Sequence, residues 1–246
     1  MSRPLPNLAR ITRLRELFLE EQQSKRTIAD YWRDARDIEA YDAVLAARIG
    51  WKWDAALREC ADRGFDRADD QVVLDYGCGS GVAARRFVTH FGAGRLWLHD
   101  RAPRALAFAP ACLAATAPSV SSGPLKDVRD ANPDVLLVSH VLGELDQAGE
   151  DELRALISRS KRVLIVGAAG GIGSSVVAAA LRCGGSVVAL DVSAPALERL
   201  SARRRRRGGP SSWSRISGNA STLPRPAAAI TRAAHGMFFR FFFSFF

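Results

Sequence analysis

The chain has 246 residues, 48% of them hydrophobic, and a formal charge of +9, which is ordinary composition for one globular α/β domain with an accessory segment. Residues 1–160 carry 22 Lys and Arg against 24 Asp and Glu, while residues 161–246 carry 13 against 2, so the basicity belongs to the end of the chain. Cys60, Cys78, Cys112 and Cys183 lie far apart, with no C-x-x-C pair and no histidine at metal spacing, which excludes a disulfide framework and predicts no metal site.

The opening MSRPLPNLAR has no apolar signal core, and no run approaches the roughly 20 apolar residues of a membrane span. The expectation is a soluble cytoplasmic protein with reduced thiols and no membrane partner. From Leu8, apolar residues recur at Ile11, Leu14, Leu17 and Phe18, the step of an amphipathic helix, with Arg10, Arg13 and Arg15 among its polar positions. Those arginines read either as a solvated face or as phosphate contacts. A longer helical region is expected from Ile28 toward Arg63, with Thr27 as N-cap, Gly64 as stop and Gly50 separating two helices. Tyr31, Trp32, Tyr41, Trp51 and Trp53 crowd into it, either as core or as a wall over a cleft. Residues 1–66 are thus an N-terminal helical segment.

At Val72 the pattern changes. Val72, Val73 and Leu74 read as a buried parallel strand that ends at Asp75, and Gly77, Gly79 and Gly81 follow at alternate positions. A helix is expected at once over Val82–His90, its unpaired first amides facing whatever the turn admits, which is a nucleotide-cradling geometry. The spacing is D-x-G-x-G-x-G, unlike the G-x-G-x-x-G of the dinucleotide fingerprint. Arg95–His99 reads as the next strand and delivers Asp100, where a carboxylate can accept both ribose hydroxyls. Strand, loop, helix, strand and acid in this register resemble class I S-adenosylmethionine-dependent methyltransferases. The resemblance implies that the glycine loop wraps the methionine part and that Asp100 holds the ribose.

Arg101–Ala109 reads as a helix and residues 119–122 as a third strand. Asp127 follows, and the same resemblance makes it the acid that meets the adenine amino group. Residues 134–138 form a fourth strand that delivers Ser139 and His140 to the carboxyl end of the sheet, where open α/β folds place their ligands. His140 and Glu144 are the catalytic candidates, His140 either as proton acceptor or substrate contact or as a structural imidazole. Together, YWRDARDIEAYDAVLAARIGWKWDAAL, LDYGCGSG and VLLVSHVLGELD resemble the methyltransferase-like family associated with the ribosomal small subunit of bacteria and mitochondria, over about residues 10–160. That implies the small subunit or its rRNA as partner. Gly143 stands where the family usually has asparagine, and the family's cysteine-rich C-terminal part has no counterpart here.

A helix over 152–158 and a fifth strand over Arg162–Val166 come next. The run VLIVGAAGGIGSSVVAAALRCGGSVVALDVS then resembles the opening of a short-chain dehydrogenase, with Gly167, Gly171, Gly173 and Asp191 as an alternative nucleotide site for NAD. No Y-x-x-x-K follows, since all three tyrosines, Tyr31, Tyr41 and Tyr76, lie upstream. Either residues 162–166 and 186–190 complete one sheet, with Ile172–Arg182 as the helix between them, or a dehydrogenase-like fragment has been joined near residue 161. One sheet is favoured, because a lone βαβ unit could hardly bury both faces. Residues 67–200 are therefore expected to be a Rossmann-like domain. Residues 201–246, with nine arginines and no acid, are expected to be a disordered basic tail.

Overall fold

The structure is a computed structural model and describes residues 8–24, 31–62, 64–114, 119–125, 132–167, 186–190 and 213–216. In chain order the elements are α1 (Leu8–Ser24), α2 (Ala35–Asp62), β1 (Val72–Tyr76), α3 (Val82–Phe91), β2 (Arg95–His99), α4 (Pro103–Leu113) and β3 (Val120–Ser122). They continue with β4 (Val135–Ser139), a 3-10 turn (Leu142–Glu144), α5 (Gln147–Arg159), β5 (Arg162–Val166), β6 (Ser186–Leu190) and β7 (Trp213–Ile216).

All seven strands form one sheet in the order β3-β2-β1-β4-β5-β6-β7, and each neighbouring pair is parallel. Parallel neighbours need crossovers: α3 joins β1 to β2, α4 joins β2 to β3, and α5 joins β4 to β5. The order reverses between β1 and β4, so a crevice opens at their carboxyl ends, the place where open α/β sheets bind ligands. The fold is thus the Rossmann-like α/β sheet with an N-terminal helical segment that the sequence predicts. β5 and β6 are hydrogen-bonded neighbours, as the single-sheet layout requires, while the expected helix 172–182 lies outside the described residues.

Period-two alternation buries both faces of the sheet. Val73, Leu96, Leu98, Val135, Leu137 and Leu164 pack against Trp53 and Leu57 of α2, Phe87 and Phe91 of α3, and Leu113 of α4. On the other face, Leu74, Leu136, Val138, Val163 and Ile165 pack against Leu153, Leu156 and Ile157 of α5. A smaller cluster of Leu14, Trp32, Ile38 and Ala105 fastens α1 to α2 and α4.

Three expectations are corrected. The helix break at Gly50 does not occur: α2 runs unbroken through it, and a Cβ there would stand 2.8 Å from Nε of Arg86, so glycine leaves room for an arginine on α3. The helix is instead capped at its start by Asp34, whose Oδ1 accepts from the amides of Arg36 and Asp37. At its end, Gly64 is a stop as expected, at φ 81°, with its amide on Ala61 O and that of Phe65 on Cys60 O, a Schellman closure. Second, Arg10 and Arg13 are neither a solvated face nor phosphate ligands. Arg10 Nη1 and Arg13 Nη2 each donate at 2.6 Å to Asp37, which is fully buried and also accepts from the amide of Arg33 at 3.0 Å. Burial alone would raise the Asp37 pKa, but the hydrogen bonds from Arg33 and Arg10 outweigh it and bring the carboxyl down to about 2. Third, strand β7 falls within the segment expected to be a disordered tail and pairs with β6 from Val187↔Trp213 to Leu190↔Ile216.

Candidate functional site

The loop between β1 and α3 is built as its glycines dictate. Gly77, Gly79 and Gly81 have φ of 70°, 53° and 77°, a region that side-chain-bearing residues rarely adopt. Their surroundings differ. A Cβ on Gly77 would lie 2.6 Å from Val141 Cγ2, so the loop is pressed against the tip of β4. One on Gly81 would meet Ala109 of α4 at 3.1 Å, whereas one on Gly79 would find nothing within 4 Å. Gly79 is therefore the glycine whose backbone faces open space.

The amides of this loop are not the vacant anion cradle that the sequence suggests. Those of Gly77 and Cys78 donate to the His99 carbonyl at 2.8 and 2.9 Å, and that of Gly81 donates to Cys78 O at 2.7 Å. The Gly79 amide donates to Asp100 Oδ2 at 2.8 Å, and Ala84 in the first turn of α3 donates to Asp75 Oδ2 at 3.1 Å. Two amides of the turn and helix start are thus taken by carboxylates, that of Gly79 by Asp100 and that of Ala84 by Asp75.

Asp75 is fully buried, and its Oδ1 has no hydrogen-bond partner. Burial pushes its pKa up to about 7; the Ala84 amide opposes the shift, and the charge of Asp100 adds to it. Asp75 lies beneath the loop and does not line the recess, so its contact is with the fold and its influence on a ligand is electrostatic. Asp100 does line the recess. Its Oδ1 takes the Ala102 amide at 2.8 Å, each oxygen keeps a lone pair for a ligand, and burial raises its pKa as well, against the two amide bonds.

β4 brings Ser139 and His140 to the same recess. Ser139 Oγ accepts from Trp53 Nε1 at 2.9 Å. His140 has φ 56°, a left-handed conformation held by its amide bond to Val166 O at 2.9 Å. Its Nε2 is 3.3 Å from Lys52 Nζ, and a Cβ on Gly167 would lie 2.8 Å from its Nδ1. Burial, followed by the Lys52 charge, pushes its pKa down to about 3, so the imidazole is neutral above that pH. Glu144 is engaged by Arg101 Nη2 at 3.3 Å and by the Tyr31 hydroxyl at 3.4 Å.

Two hollows meet here. The recess over the glycine loop is about 100 Å³ and is walled by Phe18, Tyr31, Trp32 and Tyr41, edge-to-face rings with centroids 4.6 to 6.1 Å apart. Of the aromatic segment, Trp53 is core, Tyr31, Trp32 and Tyr41 are wall, and Trp51 is neither, since it is exposed to solvent. Beside α5 opens a cleft of about 840 Å³, lined by Leu125, Ala155 and Arg159 among others. The two share Tyr76, His99, Arg101, Glu144 and Leu145. A nucleotide-sized ligand needs on the order of 300 Å³ or more, so the recess alone is too small and the pair together is ample. With Gly79 open and Asp100 holding spare acceptor capacity, the two together have room and polar groups for a nucleotide-type ligand.

The structure therefore gathers Gly77, Gly79, Asp100, Ser139, His140 and Glu144 around the recess and sets Asp75 and Gly81 behind it. Gly167 ends β5 at φ 89°, close to His140, while Asp127, Gly171, Gly173 and Asp191 lie outside the described residues. Sequence reasoning missed Arg101, whose only signal is its place directly after Asp100, and Lys52 and Trp53, whose partners on β4 are 86 to 88 positions away. Among the described residues, no cluster of three or more His, Cys, Asp or Glu could hold a metal ion. No helix among them is long and apolar enough to cross a membrane.

The sequence matches no protein-family model, and no curated protein matches it. Among solved structures it is similar to precorrin-6y C5,15-methyltransferase from Geobacter metallireducens GS-15, at 19% identity and TM-score 0.35, over 62% of this chain and 68% of that one. It is also similar to a shikimate 5-dehydrogenase-like protein, at 15% identity and TM-score 0.42, over 74% of this chain and 62% of that one. A third is the pyocyanin biosynthetic protein PhzM, at 22% identity and TM-score 0.32, over 51% of this chain and 35% of that one. At such scores the choice between ligands falls to the chain's own geometry.

Proposed function

We propose that the chain is an S-adenosylmethionine-dependent methyltransferase whose donor lies over the β1–α3 loop. The observation that carries this reading is the charge at the loop: Asp100 lines the recess and takes the Gly79 amide, Asp75 lies buried beneath it and takes the Ala84 amide, and two acids so placed suit a cation. When bound, S-adenosylmethionine supplies an activated methyl group on a positively charged sulfur. The chain's own part is mainly alignment. Gly79 admits the ligand backbone-close, Asp100 accepts from hydroxyl groups, the Phe18–Tyr41 wall excludes water, and neutral His140 stands at the edge of the recess, where its imidazole can hydrogen-bond the acceptor but is too weak a base to take its proton.

Isothermal calorimetry tests this directly. S-adenosylmethionine should bind the wild type, not Gly79→Arg, which fills the open side of the loop, and more weakly Asp100→Ala. Equal binding by all three refutes the assignment. The small ribosomal subunit or its rRNA as acceptor is supported by the WKWD and SHVLGEL strings alone; transfer of a radiolabelled methyl group to stripped small subunits tests it. Binding of the donor without transfer favours a non-catalytic assembly factor.

A second reading, a nicotinamide-binding oxidoreductase, is favoured by the all-parallel strand order, whose first six strands follow the dinucleotide-binding arrangement, and by the Gly167, Gly171, Gly173 and Asp191 pattern. Saturable NADH fluorescence abolished by Gly171→Arg, without S-adenosylmethionine binding, would reverse the choice.

A further inference from the structure

Tyr31, Arg101 and Glu144 reach one another from three separate places in the chain: the segment before α2, the residue after Asp100, and the 3-10 turn after β4. The Arg101 guanidinium donates to Glu144 Oε2 at 3.3 Å and to the Glu144 carbonyl at 3.4 Å. The Tyr31 hydroxyl donates to the same Oε2 at 3.4 Å, and Arg101 Cζ stands 5.8 Å from the Tyr31 ring centroid. Arg101 and Glu144 line both hollows, whereas Tyr31 lines only the recess and Glu152 only the cleft. With Tyr76, His99 and Leu145, the clasp thus forms the boundary between about 100 Å³ over the glycine loop and about 840 Å³ beside α5, and its Arg101–Glu144 contact is the charged part of that boundary.

We propose that the Tyr31–Glu144–Arg101 clasp is a gate: closed, it separates the glycine loop from the cleft, and open, it joins the two into one site that admits a ligand from the α5 side. Glu144 is then a gating residue and not a catalytic one. The contacts suit such a role. The ion pair is long and its members are 32% and 22% exposed, a setting in which ion pairs contribute little net stability and open readily. Glu144 sits on a three-residue turn in which Gly143 has nothing within 4 Å of where its Cβ would be, so the turn has room to swing. The identity of the ligand rests on the methyltransferase reading; the gate itself does not.

Cys78 supplies a reporter, since it lines the recess beside Gly79 and is 4% exposed. Burial and the charges of Asp100 and Asp75 raise its thiol pKa, and Arg101 in turn acts on Asp100; because Glu144→Gln and Arg101→Gln remove opposite charges, an acceleration shared by both reads access and not thiol acidity. Labelling with N-ethylmaleimide and peptide mass mapping should show Cys78 reacting about fivefold faster in Glu144→Gln and in Arg101→Gln than in the wild type. Cys60, a residue of α2 that is 2% exposed, should be unchanged. An unchanged Cys78 rate in both variants, or Cys60 accelerating in step, overturns the gate. If the variants accelerate Cys78 but saturating S-adenosylmethionine leaves it unprotected, the gate stands and the ligand assignment falls.

Discussion

Replacing Asp75 by asparagine should remove a pH dependence of stability that the buried carboxyl imposes. Asp75 is fully buried with one oxygen unpaired, and its pKa rises from 3.8 to about 7 on folding. Because the folded pKa is the higher one, the native state binds the extra proton between those values, and stability falls as pH rises from about 4 to about 7 and is level above. From pH 4.5 to 8 the group is responsible for a loss of about 3 kcal/mol, since each pH unit between the unfolded and folded pKa is worth about 1.4 kcal/mol. The amide of Asp75→Asn can still accept from Ala84 and never ionises. Its own unpaired N–H costs about 1–3 kcal/mol at every pH, which leaves the slope untouched. Urea unfolding at pH 4.5, 6 and 8 should therefore show the variant gaining on the wild type by about 3 kcal/mol across the series. Groups such as Asp37 and His140 are common to both proteins and cancel. A difference that stays flat from pH 4.5 to 8 would mean that water or a counter-charge keeps Asp75 ionised across that range, and the raised pKa argued from its burial would be refuted.

The same acids set the ligand's pH response: as pH rises through about 7 and Asp75 ionises, affinity for the cationic donor should improve over that for its neutral thioether product by roughly three- to tenfold; calorimetry at pH 6 and 8 reads the ratio, and a constant ratio counts against a sulfonium at this loop. At the α1–α2 junction, Asp37→Ala removes the buried carboxylate that Arg10 and Arg13 share, leaving Arg10 on Asp34 and Arg13 on the Tyr31 carbonyl, and should destabilise the fold by about 1.5–3 kcal/mol in urea unfolding. In the wild type the depressed Asp37 pKa of about 2 gives stability present above the unfolded value and lost as pH falls from about 4 through 2, a loss of about 2 kcal/mol that the alanine variant should lack. For the basic run, changing Arg203–Arg207 together to glutamine should make the slope of log RNA affinity against log salt shallower by about 4, if five phosphates are engaged; an unchanged slope makes the run a bystander.

Much of the sheet was legible because its signals are local. β2 and β5 are short apolar runs closed by an acid or a glycine, and their boundaries fall where the sequence puts them, while β1 runs one residue past Asp75, to Tyr76. What the sequence could not show was set by partners far along the chain. The path of α2 through Gly50 depends on Arg86 lying across it, 36 positions away. The role of Arg10 and Arg13 depends on an aspartate 24 to 27 positions off, so an amphipathic pattern alone leaves a buried cage looking like a solvated face. β7 is only four residues long and pairs through β6 alone, too short for any period to announce it. In the glycine loop the residue types were plain, but the direction of each carboxylate was not. That direction turns an expected anion cradle into an acidic floor.

Strand order and site chemistry point to different ligands, and physics gives the site precedence. A parallel sheet that reverses between β1 and β4 opens its crevice for any ligand, because the reversal follows from right-handed crossovers and burial of both faces and carries no information about charge. Discrimination comes from what lines the crevice. A pyrophosphate over the β1–α3 loop would have to displace Asp100 from the Gly79 amide and lie above the fully buried Asp75, placing like charges together where little water screens them. A sulfonium in the same place would relieve the two acids, favour their ionised forms and leave every loop hydrogen bond intact. If this sheet also holds a dinucleotide, the turn after β5 is where the sequence leaves room for it, one strand beyond His140, and the β1–α3 loop is not.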